Sequence, residues 1–388
     1  MARLGDICTV ISGTTPKSNC PEYWGGNINW VTPAELTDES DVIYESQRKI
    51  TQQAVIDSSL KSFPAGTVLL SSRAPIGKVA IAGIEMYCNQ GFKNLICSDK
   101  VYNRYLYHFL KDKTAYLNSL GRGATFKEIS KSIVENIQIP LPPIDEQHKI
   151  AAVLDKVSDL IAKRRQQLDK LDLLVKSKFV EMFGDLADPA CKHIRCKLEE
   201  ICIDSDDIKC GPFGTQLSKN EYQEQGVAVW EIPQINRGFK EQPIHFVTDE
   251  KAKQLMSYSL LPGDIAMSRK GNVGRCALFP KDFAPGIIHS DVLRIRVDKN
   301  RVNPCFMMYQ LHFSKAVENQ IAMVSSGAVM AGINVTKLKQ IYVHIPAFEL
   351  QNKFADFVEQ TEKTKTRISQ SLEKLETLKK ALMQEYFG

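Results

Sequence analysis

Between residues 145 and 183 the chain carries neither glycine nor proline, and apolar residues return every three or four positions. Leu154, Val157, Ile161, Leu168, Leu171, Val175 and Met182 mark one face, interrupted by Arg164 and Lys178. That spacing predicts one long amphipathic helix. The diproline at 142–143 suits its start and Gly184 its stop. About forty residues rising 1.5 Å each give a rod of roughly 60 Å. A second such face runs through Val358, Thr361, Lys365, Ile368, Leu372, Leu375, Lys379, Leu382 and Tyr386. The polar breaks differ, with Arg164 at the register of Ile368 and Val175 at that of Lys379. Two packings follow: the helices pair with each other, antiparallel, or each packs only on its own globular part. Elsewhere the periods are short. Residues 67–70, 78–81 and 292–297 read as strands, and 103–118 and 304–320 as helices. The expected class is α+β, with two mixed α/β domains and two long helices.

The two helices belong to an internal repeat. Pro142-Pro-Ile-Asp-Glu-Gln-His-Lys-Ile-Ala answers Pro346-Ala-Phe-Glu-Leu-Gln-Asn-Lys-Phe-Ala at an offset of 204 (346 − 142). The offset holds through Gln147/Gln351, Lys149/Lys353, Leu168/Leu372, Leu171/Leu375 and Phe183-Gly184/Phe387-Gly388. Upstream it drifts slightly. Leu4-Gly-Asp-Ile-Cys8 answers Leu198-Glu-Glu-Ile-Cys202, and Trp30-Val-Thr-Pro33 answers Trp230-Glu-Ile-Pro233. Ser72-Arg73 with Gly77-Lys78 answers Ser268-Arg269 with Gly274-Arg275. The expected organisation is a domain over 1–142, a helix over 143–183, a second domain over 184–345 and a second helix over 346–388.

Composition narrows the class. The 388 residues are 43% hydrophobic and 24% charged, as in a globular protein, with a net charge of +5. No apolar run reaches the roughly 18 residues of a membrane span. The N-terminus lacks the apolar core of a secretory signal. The ten cysteines form no C-x-x-C pair, and the spacing of Cys191, Cys196, Cys202 and Cys210 fits no zinc module. They read as reduced thiols of a cytoplasmic protein. No metal or cofactor is expected.

Catalytic motifs are missing as well. Gly77-Lys78 lacks the remainder of a P-loop, no G-x-G-x-x-G follows a strand, and neither H-E-x-x-H nor G-x-S-x-G occurs. Asn303-Pro304-Cys305-Phe306 resembles an amino-methyltransferase motif only faintly and reads as a helix cap followed by proline. What remains is repeated basic, polar, glycine-bearing loops. Thr14, Thr15 and Lys17 occupy one, and Arg73 and Lys78 a tight turn. Arg122, Thr125 and Lys127 lie in a third loop. The second copy offers Thr215, Gln216 and Lys219, then Arg269, Lys270 and Arg275. Such cations reach phosphates or guanine edges, while glycine admits close backbone approach. Trp30 and Trp230 read as sheet anchors, with base stacking the sharper alternative.

Together the duplicated unit, the W-x-x-P pair, the S-R-x-x-x-G-K turn, the P-P-I-D-E-Q-H-K-I-A helix start and the two F-G endings resemble the specificity subunit of Type I restriction–modification systems. The resemblance covers essentially the whole chain. It implies a non-catalytic subunit with two target-recognition domains, each reading one half of a bipartite, asymmetric site on double-stranded DNA. The spacer helices would dock two modification (methyltransferase) subunits, through residues such as Gln147, Lys149, Leu168, Leu171, Gln351, Lys353, Leu372 and Leu375. Restriction (motor-nuclease) subunits would join them. Two other readings stay open on the residues alone: a stand-alone duplicated DNA-binding protein, and a protein scaffold that does not bind DNA.

Overall fold

The computed structural model describes residues 1–123, 127–186, 188, 191–325 and 332–388. The chain divides into two compact units, residues 1–166 with 369–388, and residues 167–368. The class is α+β, as expected.

In the first unit, short strands build two larger sheets beside a two-stranded pair, Ala2–Arg3 with Gln138–Ile139. One orders Cys8–Ser12, Lys93–Cys97, Val68–Leu70, Val79–Ala82 and Val42–Ile43, antiparallel except for the last pair. The other sets Trp24–Val31 between Lys49–Ile50 and Tyr87–Cys88. The second unit repeats the plan. One sheet runs Ile208–Cys210, Val292–Ile295, Ile265–Ser268, Cys276–Leu278; the other runs His245–Val247, Val227–Trp230, Gly286–Ile288, Ser259–Leu260. The strand bearing each tryptophan pairs parallel to its neighbour in both units, Trp30 with Tyr87 and Trp230 with Ile288.

Both tryptophans are core residues. The Trp30 indole donates to the Thr14 carbonyl at 3.1 Å, and Trp230 packs edge-on against Phe239 and Phe279. Each is nearly inaccessible, which excludes base stacking. The predicted helices at 103–118 and 304–320 are each broken. The first is Asn103–Asp112 followed by Thr114–Leu120; the second is Pro304–Phe313 followed by Lys315–Ser325. Thr114 Oγ1 donates to the Lys111 carbonyl at 3.0 Å, a side-chain bond that competes with helix continuation. Ser314 is extended, at ψ 114°. Asn303 caps its helix, its side chain accepting from the N–H groups of Cys305 and Phe306.

The long helices span Ile144–Phe183 and Phe348–Phe387. Gly184 takes φ +70°, and its N–H reaches the Val180 carbonyl at 2.8 Å, closing the first of them. The predicted faces are the buried ones. Leu154, Val157, Ile161 and Val175 are buried, and Arg164, Leu168, Leu171 and Met182 half-buried. Within the first unit, Leu154 of the central helix shares a core with Met383 and Phe387 of the C-terminal helix, and Arg165 pairs with Glu376 at 2.8 Å. Within the second, Asp172 pairs with Lys365 at 2.7 Å, and Phe179 meets Phe354 edge-on. In each unit rising numbers meet falling ones, so the helices pair antiparallel.

Each core is thus completed by the end of the other repeat's helix. Phe387 packs against Tyr105 and Phe109, with centroids 5.1 and 5.6 Å away. Phe183 packs against Phe306 at 4.7 Å. Full burial of one such ring contributes roughly 1.5–3 kcal/mol.

Candidate nucleic-acid interface

In the first unit the predicted loops converge through backbone bonds. The Thr14 N–H donates to the Cys88 carbonyl at 3.0 Å, and Thr15 Oγ1 bonds the Gln90 side chain. Ser72 N–H donates to Gly91 O at 2.7 Å, and Ile129 N–H to Ser72 O at 3.0 Å. Arg122 and Glu128 exchange two backbone bonds of 3.0 and 2.9 Å. The segments 13–17, 71–78, 88–91 and 121–129 are therefore one cluster, apart from residues 124–126. Thr125 lies outside the described residues. Gly13 explains how closely the chains approach: a Cβ there would lie 2.2 Å from the Cys88 and Asn89 carbonyl oxygens.

The second unit builds the same frame. A Cβ on Gly211 would lie 2.2 Å from the His289 carbonyl oxygen. Arg269 N–H donates to Asp291 O at 3.0 Å, and Ile333 N–H to Arg269 O at 3.2 Å. These bonds correct the repeat register of the turn. Ser71 N–H reaches Lys78 O and Gly77 N–H reaches Ser71 O; Ser268 N–H reaches Arg275 O and Gly274 N–H reaches Ser268 O. Gly77 and Gly274 take the same φ, +90° and +86°. The eight-residue turns superpose without a gap, so Ser71 matches Ser268, Ser72 matches Arg269 and Arg73 matches Lys270. Matching the Ser-Arg dipeptides shifts the pairing by one residue.

The shift changes what each cation does. Ser72 is fully buried, and Arg269 occupies its position. The Arg269 guanidinium donates to the carbonyls of Ile333 (3.1 Å) and Ser290 (3.3 Å) and stacks 4.8 Å over Phe213. It braces the second frame while remaining half-buried. Arg73 and Lys270 are the equivalent outward cations. Arg73 lies 3.8 Å from Glu128 and Lys270 lies 2.8 Å from Asp291. Thr14, Lys17, Arg122, Lys127, Thr215, Gln216 and Lys219 are exposed, and Thr15 half-buried. Gln216 accepts from the Tyr258 hydroxyl at 3.0 Å. Lys78 and Arg275 bond elsewhere, to Asp38 and to the Asn236 carbonyl.

Sequence reasoning missed Lys93 and Glu128. The nearly buried Lys93 ammonium donates to Glu128 at 3.1 Å and lies 3.4 Å from Ser72 Oγ, so Glu128 is held between Arg73 and Lys93. Their separation of 35 residues carries no local signal. His245, without an acid at useful sequence spacing, pairs with Glu231 at 2.8 Å.

The helix residues assigned to partners divide similarly. Gln147 and Gln351 are fully buried and bonded to their own unit, which corrects their reading as docking residues. Lys149 and Lys353 are exposed; Leu168, Leu171, Leu372 and Leu375 are half-buried on the helix seams. Leu173, Leu174 and Val180 of the central helix are instead exposed, at 64%, 47% and 51%. The heptad pattern passed them over because they lie off its face.

The model of the Type I restriction modification DNA specificity domain matches residues 1–172 and again 207–378. The chain belongs to this family. It is 43% identical over 186 residues to the MjaIX specificity subunit of Methanocaldococcus jannaschii, a match covering 47% of this chain and 43% of that one. The chain thus spans less than half the length of that relative. With the MjaVIII specificity subunit of the same organism it shares 23% identity over 394 residues, 99% of this chain and 90% of the other. The fold matches a crystal structure of the S subunit from M. genitalium over 100% of this chain and 95% of that one, with TM-score 0.62 and 16% identity. This specificity-subunit family is the one the sequence resembles.

Proposed function

We propose that the chain is the DNA-reading subunit of a Type I restriction–modification complex, acting in the cytoplasm and doing no chemistry itself. Each unit reads one half of a bipartite site. One observation carries this: both units build the same loop cluster on matching backbone bonds, then place different side chains at equivalent positions. Arg73 faces Glu128 where Lys270 faces Asp291, and buried Ser72 stands where Arg269 stacks on Phe213. A shared frame with unlike contacts reads unlike half-sites, so the target is asymmetric. Cations supply salt-dependent affinity, and Thr14, Thr15, Thr215 and Gln216 supply hydrogen bonds for base choice.

The long helices dock two modification subunits, with restriction subunits joining them. The exposed apolar residues Leu173, Leu174 and Val180 support docking there. The helices also set the spacing of the half-sites. Inserting one helical turn into both should lengthen the unread gap; an unaltered gap would sink that part of the reading.

Adenine methylation mapping of host DNA, with and without this gene, tests the whole. A gapped, two-part motif should vanish on deletion. An unchanged pattern contradicts the proposal. Exchanging residues 1–142 for those of a relative should alter one half of the motif alone.

A further inference from the structure

Lys78, bonded away from the loop cluster, opens a second question. It lines a cleft of about 770 Å³ in the first unit, together with Lys111 of the helix Asn103–Asp112 and with Arg165, Lys379 and Lys380 of the long helices. Four acids line it too, and their charges are already engaged. Asp38 pairs with Lys78, Glu39 and Glu376 both pair with Arg165, and Asp112 pairs with Lys113. Among the described residues, none of Lys111, Lys379 and Lys380 has an acid within ion-pair distance. The Lys111 ammonium donates only to neutral oxygens, the Ser40 carbonyl at 3.1 Å and the Tyr107 hydroxyl at 2.7 Å.

The first unit therefore holds five cations facing one cleft against four acids, and three of its ammoniums have no acid within ion-pair distance among the described residues. Burial, and then the Lys379 ammonium, push Lys111 down to about 8. Burial and Arg165 push Lys379 down as well. Both groups are held in a state that an incoming anion would relieve.

The second unit repeats the arrangement. By the registers above, Lys78 matches Arg275 (offset 197) and Lys380 matches Lys176 (offset 204). The short helices align through the Tyr102 and Asn303 N–H groups, which bond Gln147 and Gln351, so Lys111 matches His312 (offset 201). His312 lies below its usual range through burial first, then through Arg275 and Lys176. Three matching positions thus carry basic side chains in both units, and in the second His312 is pushed down by both Arg275 and Lys176.

We propose that this cleft binds a phosphate group, a backbone phosphate of DNA held beside the recognition turn. The proposal rests on the DNA-reading function above. It favours DNA because Gly77 and Lys78 belong to the turn that also carries Arg73, so the cleft continues the loop cluster. A phosphate contact there positions the duplex and carries no base choice.

The test uses the chain assembled with the modification subunit of its own system, and the variants K380Q and K379Q. Lys380 is exposed, so K380Q leaves the fold intact. Each variant should make the slope of log K against log salt shallower by about one, with the methylated motif unchanged. An unchanged slope in both variants, with normal assembly, overturns the proposal. Loss of copurification with the modification subunit at an unchanged slope makes the cleft a protein-docking site and overturns it too. So does saturable thermal stabilisation by inorganic phosphate, abolished in K379Q, if the DNA slope does not move. A parent complex without DNA selectivity would defeat the broader reading instead.

Discussion

Gln147 and Gln351, 204 residues apart in sequence, make the same three hydrogen bonds. The Gln147 amide accepts from Tyr102 N–H at 2.9 Å and donates to the Lys100 and Pro142 carbonyls at 3.0 and 2.9 Å. The Gln351 amide accepts from Asn303 N–H at 2.9 Å and donates to the Arg301 and Pro346 carbonyls at 3.4 and 2.8 Å. Each glutamine ties the start of a long helix to the loop before its unit's short helix. Truncation leaves one N–H and two carbonyls buried without partners. Gln147→Ala and Gln351→Ala should each cost about 2–4 kcal/mol of stability, measured by urea denaturation. A loss below about 0.5 kcal/mol would show that water replaces the amide.

The corrected turn register separates two arginines that look alike in sequence. Arg269→Ala should destabilise the second unit by about 1–3 kcal/mol, since it removes the stack on Phe213 and two carbonyl bonds. Arg73→Ala should leave the melting temperature nearly unchanged and weaken DNA binding, with the salt slope falling by about one. Equal melting temperatures for the two variants would contradict the register.

Gly13 and Gly211 sit where backbones touch. Gly13→Ala forces the 13–17 loop away from the Cys88 and Asn89 carbonyls, at a cost of about 1–3 kcal/mol. Methylation mapping should then show degraded recognition of one half-site with the other intact. Gly211→Ala should affect the opposite half. Degradation of both halves by one substitution would argue against independent reading.

Lys111 gives stability a pH signature. Its folded value of about 8 lies below the usual 10.5, so between these values the unfolded chain binds more protons. This group's contribution therefore rises with pH across that window. The Lys379, Arg104, Asp38 and Asp41 charges facing it shift its position without reversing the sign. Lys111→Met should be more stable than the parent near about pH 7, and the gap should narrow by about pH 9.5, read by urea midpoints. A gap that stays constant would remove the assignment.

Much of this was legible in the sequence. A pattern without glycine or proline over forty residues allows little besides a long helix, and glycine-bearing basic stretches allow little besides loops. The misses share one cause. Gln147 and Gln351 are polar residues on a helix and read as surface, yet tertiary packing buried them. Arg269 read as a counterpart of Arg73 because a dipeptide match carries more weight in a sequence than one residue of register. Lys93 and Glu128 meet only once sheet and loop are assembled, and Leu173, Leu174 and Val180 fall off the heptad face.

The completion of the first core by the C-terminal helix has a consequence for synthesis. Phe387 emerges 245 residues after residue 142 (387 − 142). At roughly 5–20 residues per second, the surface around Tyr105 and Phe109 waits on the order of 10–50 s for Phe387. The second unit, residues 167–368, is continuous in sequence and has all its parts before then. On the ribosome the unit translated second therefore has all its parts before the first does, and the nascent first unit carries an open apolar seat that chaperones or neighbouring chains can occupy in the interval.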